Sequence, residues 1–265
     1  VLAYVGELAP DAAALGVSCG EPLWDDDRFE QKLAAVLSAA PALVSFTFGC
    51  PSAEAVASCH EVGSAVAVTV TSPEEARLAA GAGADALCVQ GYEAGAHRGS
   101  FSVGGAPGGA LGLVDLVREV SRVTDVPQIA AGGVARPHDL RAVLSTGAIA
   151  AQCGTAFLRC PESGAHPVHK AALSSGRYAT TVVTRAFSGR PARALVNRFV
   201  LEHADAPSAY PEVNNATRPL RRAAAERGDA ERMSLWAGVG FRFAADRSAG
   251  EIVEELCDGT RGSAR

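Results

Sequence analysis

The sequence has little that would bring the chain to nucleic acid or to a membrane. Charged residues make up 20% of the chain and the formal net charge is -5, so no general attraction to nucleic acid or to an anionic membrane is expected. No stretch approaches the roughly 20 apolar residues of a membrane-spanning helix, and no signal peptide is visible. These absences predict a cytoplasmic chain with neither a membrane nor a nucleic-acid partner.

Paired cysteines and metal-ligand spacings are also missing. The seven cysteines are odd in number and scattered, and none of them forms a C-x-x-C pair. A disulfide framework and a structural zinc site are therefore not expected. The histidines outside one loop lack any ligand pattern, so the sequence predicts no metal.

What the sequence does contain is an alternation of short apolar runs with helical stretches. Aromatic residues are only 6%, so the apolar share is carried by small side chains that suit tight packing of helices on a sheet. Each run is apolar on both faces, as expected of a buried parallel strand, and the alternation predicts βαβ units. The predicted strands are Leu43–Phe48, Ala65–Val70, Ala86–Gln90, Gln128–Ala131 and Ala148–Gln152.

Helix signals fill the stretches between these runs. Ser72-Pro73-Glu74-Glu75 is a capping box with Pro at the first helical position, and Gly81 ends that helix. The other predicted helices are Val1–Leu15, Arg28–Leu37, Asp115–Val123, Pro137–Ser145, Thr217–Arg227 and Glu251–Leu256. The strict alternation stops beyond Arg159, where Thr180–Thr184 is a single strand-like run.

One helical stretch is rich in arginine. Arg218, Arg221 and Arg222 are balanced in the local sequence by Glu226 and Asp229. Charges of both signs on one helix are typical of a solvated face, so this stretch is predicted to face water rather than nucleic acid.

The loop that follows the third run is the strongest candidate for a ligand site. Gly91–Gly109 is rich in Gly and Ser and follows the C-terminal end of a strand, where ligands bind in parallel α/β folds. The loop brings Gln90, Glu93, His97 and Arg98 together. Because histidine suits proton transfer near neutral pH, His97 is the candidate catalytic residue. The alternative is a solvated histidine on a surface loop.

Two successive strand ends open into Gly-rich turns. Gly132 and Gly133 follow one run, and Gly154 and Thr155 follow the next. Either turn alone is weak evidence, because Gly after a strand is often only a turn. Together they offer backbone N–H groups in two successive units, which predicts a phosphate-bearing ligand.

A basic turn lies further along the chain, at Thr184–Arg193, with the sequence TRAFSGRPAR. It contains Gly and Pro together with three arginines. Two interpretations stay open: the turn binds an anion, or it pairs with acidic groups and fixes the C-terminal part of the chain.

These motifs, in this order, resemble those of the nitronate monooxygenase family. The matching segments are Val44–Gly49, Val89–Gly99, Ile129–Val134, Gln152–Leu158, Thr184–Arg193 and Trp236–Gly238, which together run over nearly the whole chain. The resemblance implies an α/β fold, a TIM (β/α)8 barrel that contains FMN, with an added C-terminal helical segment. It also implies oxidation of alkyl nitronates or nitroalkanes by O2 to carbonyl compounds and nitrite.

Site residues follow from the resemblance by position. His97 matches the family's catalytic histidine, which would take the α-proton of a neutral nitroalkane or hold the anionic nitronate near the flavin. The resemblance also implies that FMN contacts seven residues, with its phosphate at the two Gly-rich turns. These residues are Gln90, Gly95, Gly132, Gly133, Gln152, Gly154 and Thr155.

The sequence departs from the family's pattern in two places. Ala96 stands where the family usually has Gly, which restricts the backbone of the loop. The first strands of the family are absent, and Val1–Asp27 resembles the segment that follows them, so the barrel is expected to be N-terminally incomplete. Residues 1–160 are predicted to form this partial barrel with the FMN site, and residues 161–265 a family-specific segment packed on it.

Two other functions are kept as alternatives. A related FMN-dependent NADH:quinone reductase or enoyl-acyl carrier protein reductase would share the Gly-rich flavin site. An inactive truncated barrel that pairs with another chain as a homodimer is the non-catalytic alternative. The leading hypothesis requires only a small nitronate substrate and O2 as partners.

Overall fold

The computed structural model describes residues 1–104 and 110–258. Residues 105–109 of the candidate ligand loop and the tail 259–265 lie outside the described residues. The strands are β1 Leu43–Phe46, β2 Ala65–Val70, β3 Ala86–Gln90, β4 Ala96–His97, β5 Gln128–Ala131, β6 Ala150–Gln152, β7 Thr181–Thr184 and β8 Ala192–Leu195.

Eleven α-helices occur among the described residues. They are α1 Leu2–Glu7, α2 Ala9–Ala14, α3 Phe29–Ala39, α4 Ala53–Glu61, α5 Pro73–Gly81, α6 Leu113–Ser121, α7 Pro137–Leu144, α8 Pro167–Ser174, α9 Arg198–Glu202, α10 Glu212–Glu226 and α11 Ala249–Asp258. In the described part of the chain, no helix combines the length and the apolar character needed to cross a membrane.

Contacts divide the chain into two compact units. The sheet unit comprises residues 25–93, 98–153 and the chain from Cys257 as far as it is described, and the hairpin unit comprises residues 1–24, 94–97 and 154–256. This division follows contacts alone, and the predicted family-specific boundary at residue 160 stays a prediction.

The sheet unit is built on five parallel strands in the order β1-β2-β3-β5-β6. Three of them begin and end at the predicted residues, because β2, β3 and β5 have partners on both sides and buried side chains on both faces. Buried Val, Leu and Ala side chains from these strands and from α4, α5, α6 and α7 form the core of this unit. The predicted α/β class with a parallel sheet is confirmed.

The two outer strands of this sheet correct the sequence interpretation. β1 ends at Phe46 rather than at residue 48, and β6 begins at Ala150 rather than at residue 148. Leu43 and Ser45 are exposed, so the expectation that every run is buried on both faces is wrong here. An outer strand has a single neighbour in the described sheet, and its ladder ends where that pairing ends.

The hairpin unit contains a three-stranded antiparallel sheet in the order β4-β8-β7. Two of its strands were not predicted. β4 has only two residues, and β8 begins with the last two residues of the stretch interpreted as a basic turn and extends beyond it to Leu195. The predicted run at Thr180 forms β7 and folds back as a hairpin on β8, with Thr184 opposite Ala192. The stretch Thr184–Arg193 is therefore a hairpin connection with one strand attached.

Stacked aromatic rings lie at the centre of the hairpin unit. The rings of Phe187 and Phe199 stack with centroids 4.7 Å apart, and both side chains are almost fully buried. The predicted N-terminal helix packs into the same core through Leu8 and Leu15 and is divided into α1 and α2 at Leu8, just before Pro10. Of the helices that the sequence analysis missed, α8 and α9 belong to this unit.

A buried ion-pair network holds the N-terminal helices in the hairpin unit. Asp11, 5% exposed, accepts hydrogen bonds from Arg232 at 2.6 Å and Arg198 at 3.2 Å, and lies 2.9 Å from His203 Nε2. Burial alone would raise the pKa of Asp11, but the hydrogen bonds from His203 and Arg232 outweigh it and lower that pKa below its ordinary value. The folded state therefore favours the ionised carboxylate.

The same cluster has the spacing of a metal site. Asp11, Glu202 and His203 each offer a ligand atom, and these atoms lie within 4.8 Å of one another. Two guanidinium groups already engage the Asp11 carboxylate, which favours an ion-pair network over a cation site. The absence of a metal stays a prediction from the sequence.

We expect Asp11→Asn to lower the free energy of unfolding by about 3 kcal/mol, because it removes the charge of a buried carboxylate from two partly buried arginines, Arg198 and Arg232. In the wild type this contribution is present above the ordinary carboxyl pKa of about 4 and is lost as pH falls through the lowered pKa of Asp11. Urea unfolding at neutral and acidic pH measures both effects.

Glu226→Gln is the matched control for this measurement, because Glu226 pairs with Arg222 where both side chains are exposed. This variant is expected to change the free energy of unfolding by no more than about 1 kcal/mol. Equal losses for the two variants would show that the Asp11 network contributes no more than a surface ion pair.

Candidate active site

Two glutamines stand at the C-terminal edge of the parallel sheet. Gln90 at the end of β3 is paired with Ala131 at the end of β5, and Ala131 is paired in turn with Gln152 at the end of β6. The Gln90 Oε1 atom accepts a hydrogen bond from Gly99 N at 2.8 Å, and the Gln152 Oε1 atom accepts one from Cys88 Sγ at 2.9 Å. The structure thus brings these two glutamines, both predicted to contact the cofactor, to one edge of the sheet.

The turn after β5 provides backbone donors at the same edge. Gly132 and Gly133 have φ angles of 119° and 72°, in a region that side-chain-bearing residues avoid. Among the described residues, neither N–H group has a hydrogen-bond acceptor. A Gly-Gly turn in this conformation leaves two donors available to an anionic group.

Two charged residues of the candidate ligand loop have structural roles. Arg98, only 8% exposed, donates to the backbone carbonyls of Gly91 and Gln90. Both carboxylate oxygens of Glu93 accept from Leu113 N, at 3.1 and 3.0 Å, at the start of α6. Arg98 and Glu93 therefore fix the loop and the beginning of a helix.

His97 is held by the hairpin sheet. It forms β4 with Ala96 and is paired with Ala192 of β8. Its Nε2 atom lies 2.8 Å from the Oγ atom of Ser188, which is 1% exposed. The imidazole also packs against Trp236, with ring centroids 5.4 Å apart. This half-buried setting argues against the solvated-loop alternative.

The surroundings of His97 lower its proton affinity. Burial, followed by the positive charges of Arg190 and Arg221, lowers the pKa of His97 to about 4. The imidazole is therefore neutral at physiological pH and can accept a proton. The sequence predicts a solvated face for Arg221, which is in fact partly buried, and it does not single out Ser188 or Trp236, although both lie in segments that match the family's motifs.

Close packing explains the glycine before β4. A Cβ atom on Gly95 would lie 2.4 Å from Gly238 N and 2.7 Å from the carbonyl carbon of Ala237, so that backbone would have to move. Ala96 has a φ angle of 61°, in the left-handed region. This conformation gives a physical reason for the glycine that the family usually has at this position.

The second Gly-rich turn packs on the same Gly238. Thr155 Oγ1 accepts a hydrogen bond from Gly238 N at 3.0 Å and begins a short 3-10 helix, Thr155–Phe157. Gly154 lines a cavity of about 370 Å³, and a Cβ atom there would meet nothing within 4 Å. Among the described residues, the N–H group of Gly154 has no acceptor.

The predicted site residues fall into two groups, one in each unit. Gln90, Gly132, Gly133 and Gln152 lie at strand ends or in the turn after them in the sheet unit. Gly95, His97, Gly154 and Thr155 belong to the hairpin unit. Contact of these residues with a cofactor stays a prediction.

Comparison with known sequences identifies one family. The sequence profile described as nitronate monooxygenase matches residues 4–259. A nitronate monooxygenase of Pseudomonas aeruginosa is 42% identical over 235 residues, which are 87% of this chain and 66% of that protein. A probable nitronate monooxygenase of Bacillus subtilis is 37% identical, over 88% of this chain and 68% of that protein. The chain thus spans about two thirds of the length of these relatives.

Two solved structures are similar to this chain, a nitroalkane oxidase more so than a second protein, FabK. A nitroalkane oxidase from Streptomyces ansochromogenes superposes with a TM-score of 0.94 at 46% identity, covering 98% of this chain and 77% of that one. FabK from Thermotoga maritima superposes with a TM-score of 0.74 at 29% identity, covering 88% and 72%.

We expect Ala96→Gly to raise the free energy of unfolding by roughly 1 kcal/mol. A left-handed backbone costs alanine about 1–2 kcal/mol, and the greater freedom of glycine in the unfolded chain offsets part of the gain. Chemical denaturation measures the change. Ala171→Gly, at an exposed position inside α8, is the matched control, and its free energy of unfolding should be about 1 kcal/mol lower than that of the wild type. A similar loss for both variants would show that Ala96 is unstrained.

The His97 imidazole is expected to titrate near pH 4 rather than near its ordinary value of 6.5. NMR of histidine-labelled protein measures this directly, with the His97 signal assigned by its disappearance in His97→Asn. Between these two pH values the folded protein binds fewer protons at His97 than the unfolded chain does. The contribution of His97 to the free energy of unfolding therefore falls as pH falls. A midpoint at 6.5 would contradict the buried, cation-flanked environment.

Proposed function

We propose, because this chain belongs to the nitronate monooxygenase family, that it oxidises alkyl nitronates or nitroalkanes with O2 to carbonyl compounds and nitrite. One observation carries the proposal most directly. The histidine that matches the family's catalytic residue is a neutral, half-buried imidazole held by Ser188 and packed on Trp236. A neutral imidazole can accept a proton from an acidic C–H group, and its lowered pKa makes it a weak base in the free protein.

The family is one of flavoproteins, and we propose FMN as the cofactor. Within the sheet unit the donor set fits an anionic, planar group, because the Gly132-Gly133 turn presents N–H groups without acceptors among the described residues, and two glutamines stand at the sheet edge. The proposed contacts are Gln90, Gly95, Gly132, Gly133, Gln152, Gly154 and Thr155. Bound FMN would supply the redox chemistry.

The protein's own part in the reaction is to position the substrate and to move a proton. When a neutral nitroalkane binds, the imidazole of His97 takes the α-proton, and the electron pair of that C–H bond stays on the substrate as its nitronate anion. Ser188 fixes the orientation of the imidazole through the hydrogen bond to Nε2. The aromatic face of Trp236 keeps one side of the ring away from water.

A flavin-dependent reductase is the second candidate function. The similarity to FabK from Thermotoga maritima supports it, with lower values of identity and TM-score than those of the nitroalkane oxidase. Comparing NADH and ethylnitronate as electron donors to the same protein distinguishes the two functions. The predicted homodimer and cytoplasmic location stay predictions.

The first test is an absorbance spectrum of the purified chain, followed by nitronate-dependent O2 consumption. We expect flavin absorbance and O2 uptake with ethylnitronate, and none driven by NADH. NADH oxidation without nitronate turnover would favour the reductase, and protein without flavin and without activity would favour the non-catalytic alternative.

His97→Asn is expected to lower kcat/KM for neutral nitroethane by about 10²- to 10⁴-fold, because the amide cannot accept the α-proton. Flavin content should be unchanged. His138→Asn, at an exposed position in α7, is the control and should change kcat/KM by less than about twofold. Unchanged nitroethane turnover in His97→Asn would remove His97 from the proposed chemistry.

A further inference from the structure

The parallel sheet packs one face against helices and carries buried polar groups on the other. Leu87 and Val89 of β3 belong to the helix-facing core, so Cys88, which lies between them in an alternating strand, points to the opposite face. Thr69 of β2 alternates with core valines in the same way. Cys88 and Thr69 are only 5% and 6% exposed, so the polar group of each one needs a hydrogen-bond partner.

Hydrogen bonds connect these groups in a row. Thr47 Oγ1, just beyond the end of β1, lies 2.9 Å from Thr69 Oγ1. The Thr69 hydroxyl is hydrogen-bonded in turn to the Cys88 thiol, and Cys88 Sγ donates to Gln152 Oε1 at 2.9 Å. We call Thr47, Thr69 and Cys88 the hydroxyl–thiol row. It extends from the end of β1 across β2 to β3 and reaches a glutamine that is predicted to contact the cofactor.

Cys88 keeps the proton that its bond to Gln152 requires. Burial raises the pKa of the Cys88 thiol, and the hydrogen bond with Thr69 offsets only part of that rise. The group is therefore an S–H donor at neutral pH rather than a thiolate. Each hydroxyl has a single proton, so when Thr69 donates to Cys88, Thr47 donates to Thr69. Every donor in the row then points toward Gln152.

The side chain of Gln152 reaches Cys88 across a neighbouring strand. In the strand register Gln152 is level with Gln90 through Ala131, whereas Cys88 pairs with Ile129, which lies earlier on β5. Two strand spacings separate β3 from β6 by roughly 10 Å, so the glutamine must extend over β5 to meet the thiol. The side chain is exposed, and among the described residues its Nε2 atom has no acceptor. The amide is therefore held at its oxygen alone.

The bond from Cys88 decides which end of this amide faces outward. The last side-chain torsion of glutamine has two nearly equivalent orientations, which exchange oxygen and nitrogen. A donor at the inner end selects the orientation with the oxygen inside and leaves two N–H groups outside. Gln90 is held in the same way, because its Oε1 atom accepts from Gly99 N. Gly99 also packs on the row, since a Cβ atom there would lie 2.5 Å from Thr69 Cγ2.

We propose that Cys88, supported by Thr69 and Thr47, is a positioning residue that turns the N–H groups of Gln152 toward the cofactor at the edge of the sheet. This inference rests on the proposed FMN cofactor and assigns a role to a residue outside the proposed contact set. An N–H donor favours electron-rich acceptor atoms, and reduction adds electrons to a flavin. The row should therefore contribute both to FMN affinity and to the reduction potential of the bound flavin.

The first readout needs neither cofactor nor turnover. In the infrared spectrum of the purified chain, the S–H stretching band of Cys88 is identified by its loss in Cys88→Ser. We expect this band below that of Cys59, a fully buried thiol of the same unit that has no side-chain hydrogen bond among the described residues. A hydrogen bond weakens the S–H bond, so Gln152→Leu, which removes the acceptor, should move the Cys88 band up toward the Cys59 band.

The second readout is the dissociation constant for FMN, measured by the quenching of flavin fluorescence. We expect it to rise about 2- to 10-fold in Cys88→Ala, as for the loss of one neutral hydrogen bond. The reduction potential of the bound flavin should fall in the same variant. Cys88→Ser keeps a donor at this position and should restore both values. Cys59→Ala is the matched control, because it removes a buried thiol from the core of the same unit, and it should change the dissociation constant by less than about twofold.

The two readouts separate this proposal from the proposed function. If the Cys88 band moves in Gln152→Leu and the wild type binds no FMN, Cys88 still orients Gln152 and only the proposed cofactor falls. A Cys88 band that Gln152→Leu leaves in place would overturn the proposal. So would equal dissociation constants for Cys88→Ala and Cys59→Ala in a protein that binds FMN.

Discussion

The arrangement around His97 depends on one short antiparallel pairing, that of β4 with β8. Two residues, Ala96 and His97, add to the edge of the β7–β8 hairpin, and Ala96 accepts a left-handed backbone to do so. The connection of the same hairpin supplies Ser188 to the imidazole. Strand pairing and side-chain hydrogen bonding therefore both originate in one hairpin, and the orientation of His97 follows from the packing of that hairpin in its core.

The electrostatics around His97 depend first on burial and then on two arginine charges, those of Arg190 and Arg221. Elsewhere in the hairpin unit the buried charge of Asp11 has counter-charges in Arg198 and Arg232. Arg221 has neutral partners instead, and it lowers the proton affinity of His97 from a neighbouring helix. The Asp11 network thus pairs opposite charges, whereas the charges of Arg190 and Arg221 act on the pKa of His97. Burial, followed by these two positive charges, lowers the pKa of His97 and keeps the imidazole neutral in a protein of net negative charge.

Much of the fold could be predicted because periodicity and strand burial coincide in β2, β3 and β5. The two outer strands were predicted less well, since their burial depends on neighbours and not on their own composition. β4 is too short to leave any periodic signal, and β8 was missed because its first two residues, Ala192 and Arg193, belong to the stretch interpreted as a basic turn. The position of Arg221 was beyond sequence reasoning, because three arginines within one helical turn and a half look alike until their packing partners are known. The catalytic candidate itself was found from its loop, yet the serine that holds it lies 91 residues away in the sequence.

The segment around Gly238 has a consequence for sequence evolution. Gly95 leaves no room for a Cβ atom against Gly238, and Thr155 accepts a hydrogen bond from the N–H group of the same residue. Three positions far apart in the chain thus share a single point of contact. Substitutions at any one of them change the fitness effect of substitutions at the other two, so related sequences should show them covarying as one epistatic group rather than drifting independently.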